Sequence, residues 1–132
     1  MIALLDTHIL LWWFQGSTRL SSAQRRVIKR ADDDHPLGVS DVTLWEIAML
    51  VELQRVRLSL PIDEWLARAT AAPLVERCGI SPAIAREMVD LSATRGWDPA
   101  DRIIVASARV LGVPLVTGDA RIAESGLVRT IE

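Results

Sequence analysis

Four carboxylates are set in apolar or turn-forming surroundings: Asp6, Glu46, Asp101 and Asp119. Asp6 separates two apolar runs in MIALLDTHILLWWF. Glu46 lies in VSDVTLWEIAML, Asp101 in DPADRIIVASARVLG and Asp119 in LVTGDARI. A carboxylate taken out of water without a partner is costly, about 2–7 kcal/mol for even a neutral polar group. Acids gathered without basic partners repel one another, and the usual remedy is a hard cation. Mg²⁺ and Mn²⁺ favour such oxygen ligands.

Whether the four acids meet depends on the elements that carry them. Ile2–Leu5 reads as a short buried strand and Thr7–Phe14 as a helix ending near Gly16. Ser21 and Gln24 form a capping box for a helix through about Arg30. Leu37–Val39 is a second strand, and Ser40 caps a helix through about Leu53. Pro61 opens a helix to about Ala71, and Leu74–Cys78 is a third strand. Ser81-Pro82 and Asp98-Pro99 each place a cap before a proline at the first helical position. The second of these helices stops at Gly112. Val113–Thr117 is a strand, Ala120–Ser125 a short helix and Leu127–Ile131 a last strand. Strands alternating with helices predict an α/β three-layer sandwich around a mostly parallel central sheet, residues 1–132 forming one domain. In such sheets ligands bind beyond the carboxyl ends of the strands. There the four acids converge.

Composition narrows the classes. Net charge is −2, so bulk charge does not mark a basic nucleic-acid module. Cys78 is alone and cannot make an internal disulfide, which suits a reducing compartment. No signal peptide or membrane-length apolar run is visible, so a cytoplasmic location is expected. Hydrophobic residues are 50% of the chain, and adjacent Trp12 and Trp13 cannot both face one core. Partner contact is expected at Trp12, Trp13 and around Trp65, and core packing at Trp45.

Each acid also has a structural reading. Asp6 serves as a helix cap, Glu46 as the far half of a capping box with Thr43, and Asp119 as a turn residue after Gly118. Asp101 suits the positive end of its helix. Asp98 is expected chiefly as an N-cap, and His8 as a packed or capping residue. Thr7, Ser40 and Thr117 stand where hydroxyls can orient the acids.

Together these segments resemble the PIN-domain ribonucleases, and in particular the VapC-type toxins of bacterial toxin–antitoxin pairs. LLDTHILLWW is similar to that family's opening strand and first acid. VSDVTLWEIAML is similar to its second motif, and DPADRIIVASARVLGVPLVTGD to its C-terminal signature. The likeness covers almost the whole chain. Two departures are visible: Gly96-Trp97 stand where relatives often carry His-Arg, and Met49-Leu50 where a lysine is usual.

The resemblance implies a metal-dependent endoribonuclease. One or two Mg²⁺ or Mn²⁺ ions would be held by Asp6 and Asp101, with Asp119 and Glu46 completing the site. Thr7, Ser40, Thr117 and Asp98 would support them from behind. Hydrolysis would leave a 5′-phosphate. An acidic site cannot attract RNA unaided, so a basic rim is needed. Arg19, Arg25, Arg26 and Arg102 are its candidates. The family reading further implies a cognate VapB-like antitoxin and a homodimer. The alternative is a catalytically inactive PIN-like domain that only binds protein or RNA. A receiver domain fits poorly, because the only lysine is Lys29 in an early helix. A haloacid-type phosphatase would need Asp-x-Asp where Asp6-Thr7-His8 stands.

Overall fold

The computed structural model describes residues 1–132. Its first strand, β1 (Ala3–Leu5), runs straight into α1 (Thr7–Phe14) through Asp6. Then follow α2 (Ser22–Lys29), β2 (Leu37–Ser40), α3 (Asp41–Glu52), α4 (Ile62–Ala69), β3 (Val75–Cys78) and α5 (Pro82–Asp90). The chain ends with a 3₁₀ turn (Ser92–Thr94), α6 (Pro99–Leu111), β4 (Leu115–Val116), α7 (Ala120–Ser125) and β5 (Thr130–Ile131).

All pairings in the five-stranded sheet are parallel, in the order β3-β2-β1-β4-β5. The chain winds outward from β1 through β2 to β3, then crosses back to β4 on the other side. The winding therefore reverses between β1 and β4, and a crevice opens beyond their carboxyl ends. Asp6 follows β1 and Thr117–Asp119 follow β4, so both border that crevice.

The sheet's faces are filled by strand alternation. Ala3, Leu5, Leu37, Val39 and Val116 join the side packed by α1 and α4, with Ile9, Leu10 and Trp65. Leu4 and Leu115 join the side packed by α5, α6 and α7, with Ile84, Ile104 and Ile122. Each such side chain, fully buried, contributes about 1.5–3 kcal/mol. The Met1 side chain lies over Gly38, where a Cβ would require it to move aside.

The caps explain the helix starts. Ser21 and Gln24 form the reciprocal capping box, and Ser40 and Ser81 accept from Val42 N and Ile84 N. Gln24 also donates from Nε2 to the Thr117 carbonyl, so the cap of α2 pins the strand end beside the crevice. Two strands are shorter than the apolar runs predict. Val113 N is spent on the Ala108 carbonyl, closing α6 at left-handed Gly112, and Pro114 has no N–H to give. At the last strand, left-handed Gly126 and the Leu127 N to Ser125 Oγ bond keep the chain in a turn.

Tryptophan placement corrects two expectations. Trp65 is buried, 3% exposed, against Phe14 of α1, so it is core rather than contact surface. Trp45 is 50% exposed instead of packed, because α3 buries Val42, Thr43 and Ile47 and turns position 45 outward. Trp12 and Trp13 are both half-buried. No helix is long and apolar enough to cross a membrane.

Candidate active site

The crevice is a cleft of about 380 Å³ lined by Asp6, His8, Trp12, Glu46, Asp98, Asp101, Gly118, Asp119 and Arg121. All four predicted acids therefore reach one place, joined by Asp98. They come from the end of β1, the middle of α3, the start of α6 and the loop after β4.

Asp6 is 7% exposed and both its oxygens are engaged. Oδ1 accepts from Thr7 N at 2.8 Å, and Oδ2 accepts from Thr117 Oγ1 at 2.6 Å. Asp6 thus caps α1 and also lines the cleft. Burial pushes its carboxyl above the usual range, against the pull of these two hydrogen bonds. Thr117 Oγ1 in turn accepts from Asp119 N at 3.0 Å, linking two of the acids through one hydroxyl. Thr117→Val removes the link while keeping the shape. A tenfold to hundredfold loss in metal affinity or activity is expected, about the scale for groups that orient a ligand. Metal titration and steady-state rates of the variant check it.

Asp119 Oδ1 caps α7 through Arg121 N at 2.9 Å, leaving Oδ2 toward the cleft. Glu46 is half-buried and closes no capping box, since Thr43 Oγ1 pairs instead with Thr7 Oγ1 at 3.2 Å. Thr7 therefore serves Asp6 through its backbone N–H rather than its hydroxyl. Ser40 is fully buried and holds the start of the helix that carries Glu46. Asp98 sits at the N-cap position of α6, yet its side chain makes no cap bond and faces the cleft, against the expectation.

Asp101 is also held above the ordinary carboxylate range. Burial first, then repulsion from Asp6, raise its pKa to about 6, despite an ion pair with Arg121. Ionisation is thus penalised in the fold. The penalty is fully present above pH 6 and absent below the ordinary value of 3.8. In chelator, Asp101→Asn should melt at a higher temperature than the parent at pH 7.5. That advantage should shrink as pH falls from about 6 toward 3.8, as thermal melts across pH would show.

Arg121 is the residue that sequence reasoning missed. Its Nη2 donates to Asp101 Oδ2 at 2.6 Å and lies 3.4 Å from Asp119 Oδ2. Its guanidinium stacks on Trp97, 4.4 Å from the ring centroid. The signal was present: a cation in the first turn of a helix opposes the helix dipole and needs a local reason. Trp97, one of the two departures at the C-terminal signature, is its platform.

The donors fit a hard divalent cation in chemical type, because the anionic groups that line the cleft are all carboxylates. As placed, no three of them stand close enough to ligate one ion. Arg121 spans Asp101 and Asp119 instead.

The expected basic rim is only partly beside the cleft. Arg19 stacks over Trp12 at 5.8 Å. Arg25 donates to the Thr18 carbonyl and, with Lys29, lines a separate hollow beside Trp13. Arg26 is exposed on α2 and does not line the cleft. Arg102 is tied into the fold through Thr94 Oγ1 and the Met88 carbonyl.

Comparison with known proteins agrees with this architecture. A family model described as PIN domain matches residues 3–126, so the chain belongs to the PIN-domain family. Within it, the chain is 39% identical over 119 residues to Ribonuclease VapC22 of Mycobacterium tuberculosis, covering 90% of this chain and 88% of that protein. The fold is similar to VapBC-1 from nontypeable Haemophilus influenzae, with TM-score 0.72 and 16% identity over 100% of this chain and 98% of that one. It is also similar to VapBC2 from Rickettsia felis bound to a promoter DNA fragment, with TM-score 0.70 and 14% identity over 98% and 97% of the two chains.

Proposed function

We propose that this protein is a metal-dependent endoribonuclease toxin of the VapC type, held inactive by a cognate VapB-like antitoxin. The observation that carries the chemistry is the meeting of Asp6, Glu46, Asp98, Asp101 and Asp119 in one cleft at the switch point of the sheet. The likeness to Ribonuclease VapC22 supports RNA as substrate, and the VapBC structures support an antitoxin partner.

Asp6 and Asp101 would be the principal ligands for Mg²⁺ or Mn²⁺, with Asp119 and Glu46 completing the set and Asp98 lining the same cleft. Bound there, the cation supplies charge against the phosphodiester and an acidified water for hydrolysis. Thr117 fixes the Asp6 carboxylate, and the α7 backbone fixes one oxygen of Asp119. Ser40 and Thr7 hold the helix starts that aim Glu46 and Asp6. Arg121 balances the charge of Asp101 and Asp119, whose oxygens a bound cation would need. Its stack on Trp97 keeps it at the rim as a donor for phosphate.

Arg121→Gln should therefore bind Mn²⁺ more tightly than the parent when no RNA is present. Calorimetric titration should show a gain of about twofold to fivefold, the scale of one partly exposed ion pair. The same variant should cleave RNA more slowly.

The function itself is tested by incubating the purified chain with end-labelled RNA in Mg²⁺, Mn²⁺ or EDTA. Cleavage with metal and none with EDTA is expected, with products bearing 5′-phosphates. Products ending in cyclic phosphates, or cleavage that survives chelation, would contradict the proposal. A folded chain inactive on total cellular RNA would favour the binding-only alternative.

A further inference from the structure

A second groove of about 260 Å³ adjoins the acidic cleft, lined by His8, Leu11, Trp12, Gln15, Arg19, Arg55, Val56 and Arg57. His8 and Trp12 line both cavities, so the groove and the cleft adjoin across these two side chains. Three arginines converge there, and none has a carboxylate partner or a side-chain hydrogen bond within the chain. The ion-paired arginines of the chain are Arg68, Arg77, Arg86, Arg109 and Arg121, all outside this groove. In a chain of net charge −2, three unpaired cations in one groove beside an acidic cleft are a marked local concentration.

The groove is built rather than incidental. Trp12 packs partly on the core, with the Arg19 guanidinium 5.8 Å and the His8 ring 6.0 Å from its ring. Arg55 and Arg57 leave α3 through a sharp turn. Gln54 there adopts a left-handed φ of 59°, and Arg55 N and Val56 N both donate to the Leu50 carbonyl. That turn holds two cations at the groove. On the other side, Gly118 leaves the Trp12 ring edge against the loop that carries Asp119; a Cβ there would lie 3.4 Å from it.

We infer that this groove binds a single-stranded stretch of RNA leading into the acidic cleft, with one base on Trp12 and phosphates on Arg19, Arg55 and Arg57. Unpaired cations tracking a backbone beside an aromatic face are the elements of single-strand recognition. The groove also supplies the positive charge that the acidic cleft lacks. The choice of RNA as the polymer rests on the ribonuclease reading above.

The test is fluorescence anisotropy with a labelled single-stranded RNA oligonucleotide and the full chain in EDTA, so that no cleavage intervenes. The double variant R55A/R57A should bind at least tenfold more weakly at low salt. Its dependence of log affinity on log salt should be shallower by about 1.4, since each lost phosphate contact lowers that slope by about 0.7. Trp12→Leu should lose about tenfold with the slope unchanged, while Trp12→Phe keeps most of the affinity. A duplex of the same sequence should bind less well than the single strand. Arg86→Ala, which removes one charge from α5 outside the groove, should match the parent in affinity. Circular dichroism confirms that the variants are folded.

Groove variants that bind with the parent's affinity and salt slope would overturn the inference and leave the groove to a protein segment. A parent that binds RNA through the groove but never cleaves it would leave this inference standing and remove the nuclease reading. A parent that cleaves with metal, with groove variants unaffected in binding, would do the reverse.

Discussion

Asp101→Asn and Asp6→Asn are each expected to lower the single-turnover rate of RNA cleavage by about 10³-fold at saturating Mg²⁺. The figure follows from the several kcal/mol of charge stabilisation a bound cation supplies, at about 1.36 kcal/mol per decade of rate. The two acids fail for different reasons. Asp101 brings a charge the fold holds at a cost, with a pKa raised to about 6 and only 16% of its side chain exposed. Its amide variant should be more stable than the parent and inactive. Asp6 sits deeper, with both oxygens already held by Thr7 N and Thr117 Oγ1. An amide there can keep its oxygen on Thr7 N, but its NH₂ then faces Thr117 Oγ1, whose hydroxyl must turn from donor to acceptor, so the hydrogen bonds at the cleft are rearranged as the charge is lost. Non-additivity is the further expectation. The double variant should be little worse than either single one, because residues acting on one ion act as a unit. Equal rates for parent and variants would place the chemistry elsewhere.

Leu5→Ala has the largest expected effect on stability. Leu5 is fully buried in the central strand and packs with Ile9, Leu37, Val39 and Trp65 in one cluster. Truncation removes apolar contact and leaves a cavity between β1 and the helices of that face. Such changes cost about 2–5 kcal/mol, a large share of the roughly 5–15 kcal/mol that holds a domain together. Urea unfolding should show a lower midpoint with an unchanged m-value. The melting temperature should fall by about 3–6 °C per kcal/mol. The residue immediately precedes Asp6, so strand and site are coupled. The folded fraction at low temperature should still cleave, more slowly, as Asp6 settles less firmly. A stability loss under 1 kcal/mol would mean that the strand repacks freely.

Much of this was legible in the residue order. Short apolar runs alternating with capped helices gave the parallel sheet, because each strand had to be buried on both faces. Proline after Ser81 and Asp98 and glycine at 112 marked helix ends through backbone constraints that act locally. The convergence of Asp6, Glu46, Asp101 and Asp119 follows from placing Asp6 and Asp119 just past strands, Asp101 in the first turn of its helix and Glu46 midway along the helix after β2.

What was not legible depends on side chains meeting across the fold. Trp45 faces out and Trp65 in because α3 and α4 present particular stripes to the sheet, and both helices carry apolar residues on more than one side. Asp98 looked like a cap by its position before Pro99, but position does not fix a side-chain rotamer. Arg102 adjoins Asp101 in the chain yet turns to Thr94 and Met88. Arg121, two residues beyond Asp119, is the cation that reaches Asp101. Arg55 and Arg57 follow a helix end that nothing local ties to Trp12; only the packing of α1 against α3 brings them to one groove.

The central claim is that the carboxylate cluster is a divalent-cation site. The direct measurement is calorimetric titration of Mn²⁺ into the chelator-treated chain, with no RNA, beside Asp6→Asn and Asp101→Asn. Saturable binding by the parent is expected, with at least tenfold weaker binding in each variant, since each removes one anionic ligand. A folded parent that binds no Mn²⁺, or variants that bind it as well as the parent, would contradict the claim.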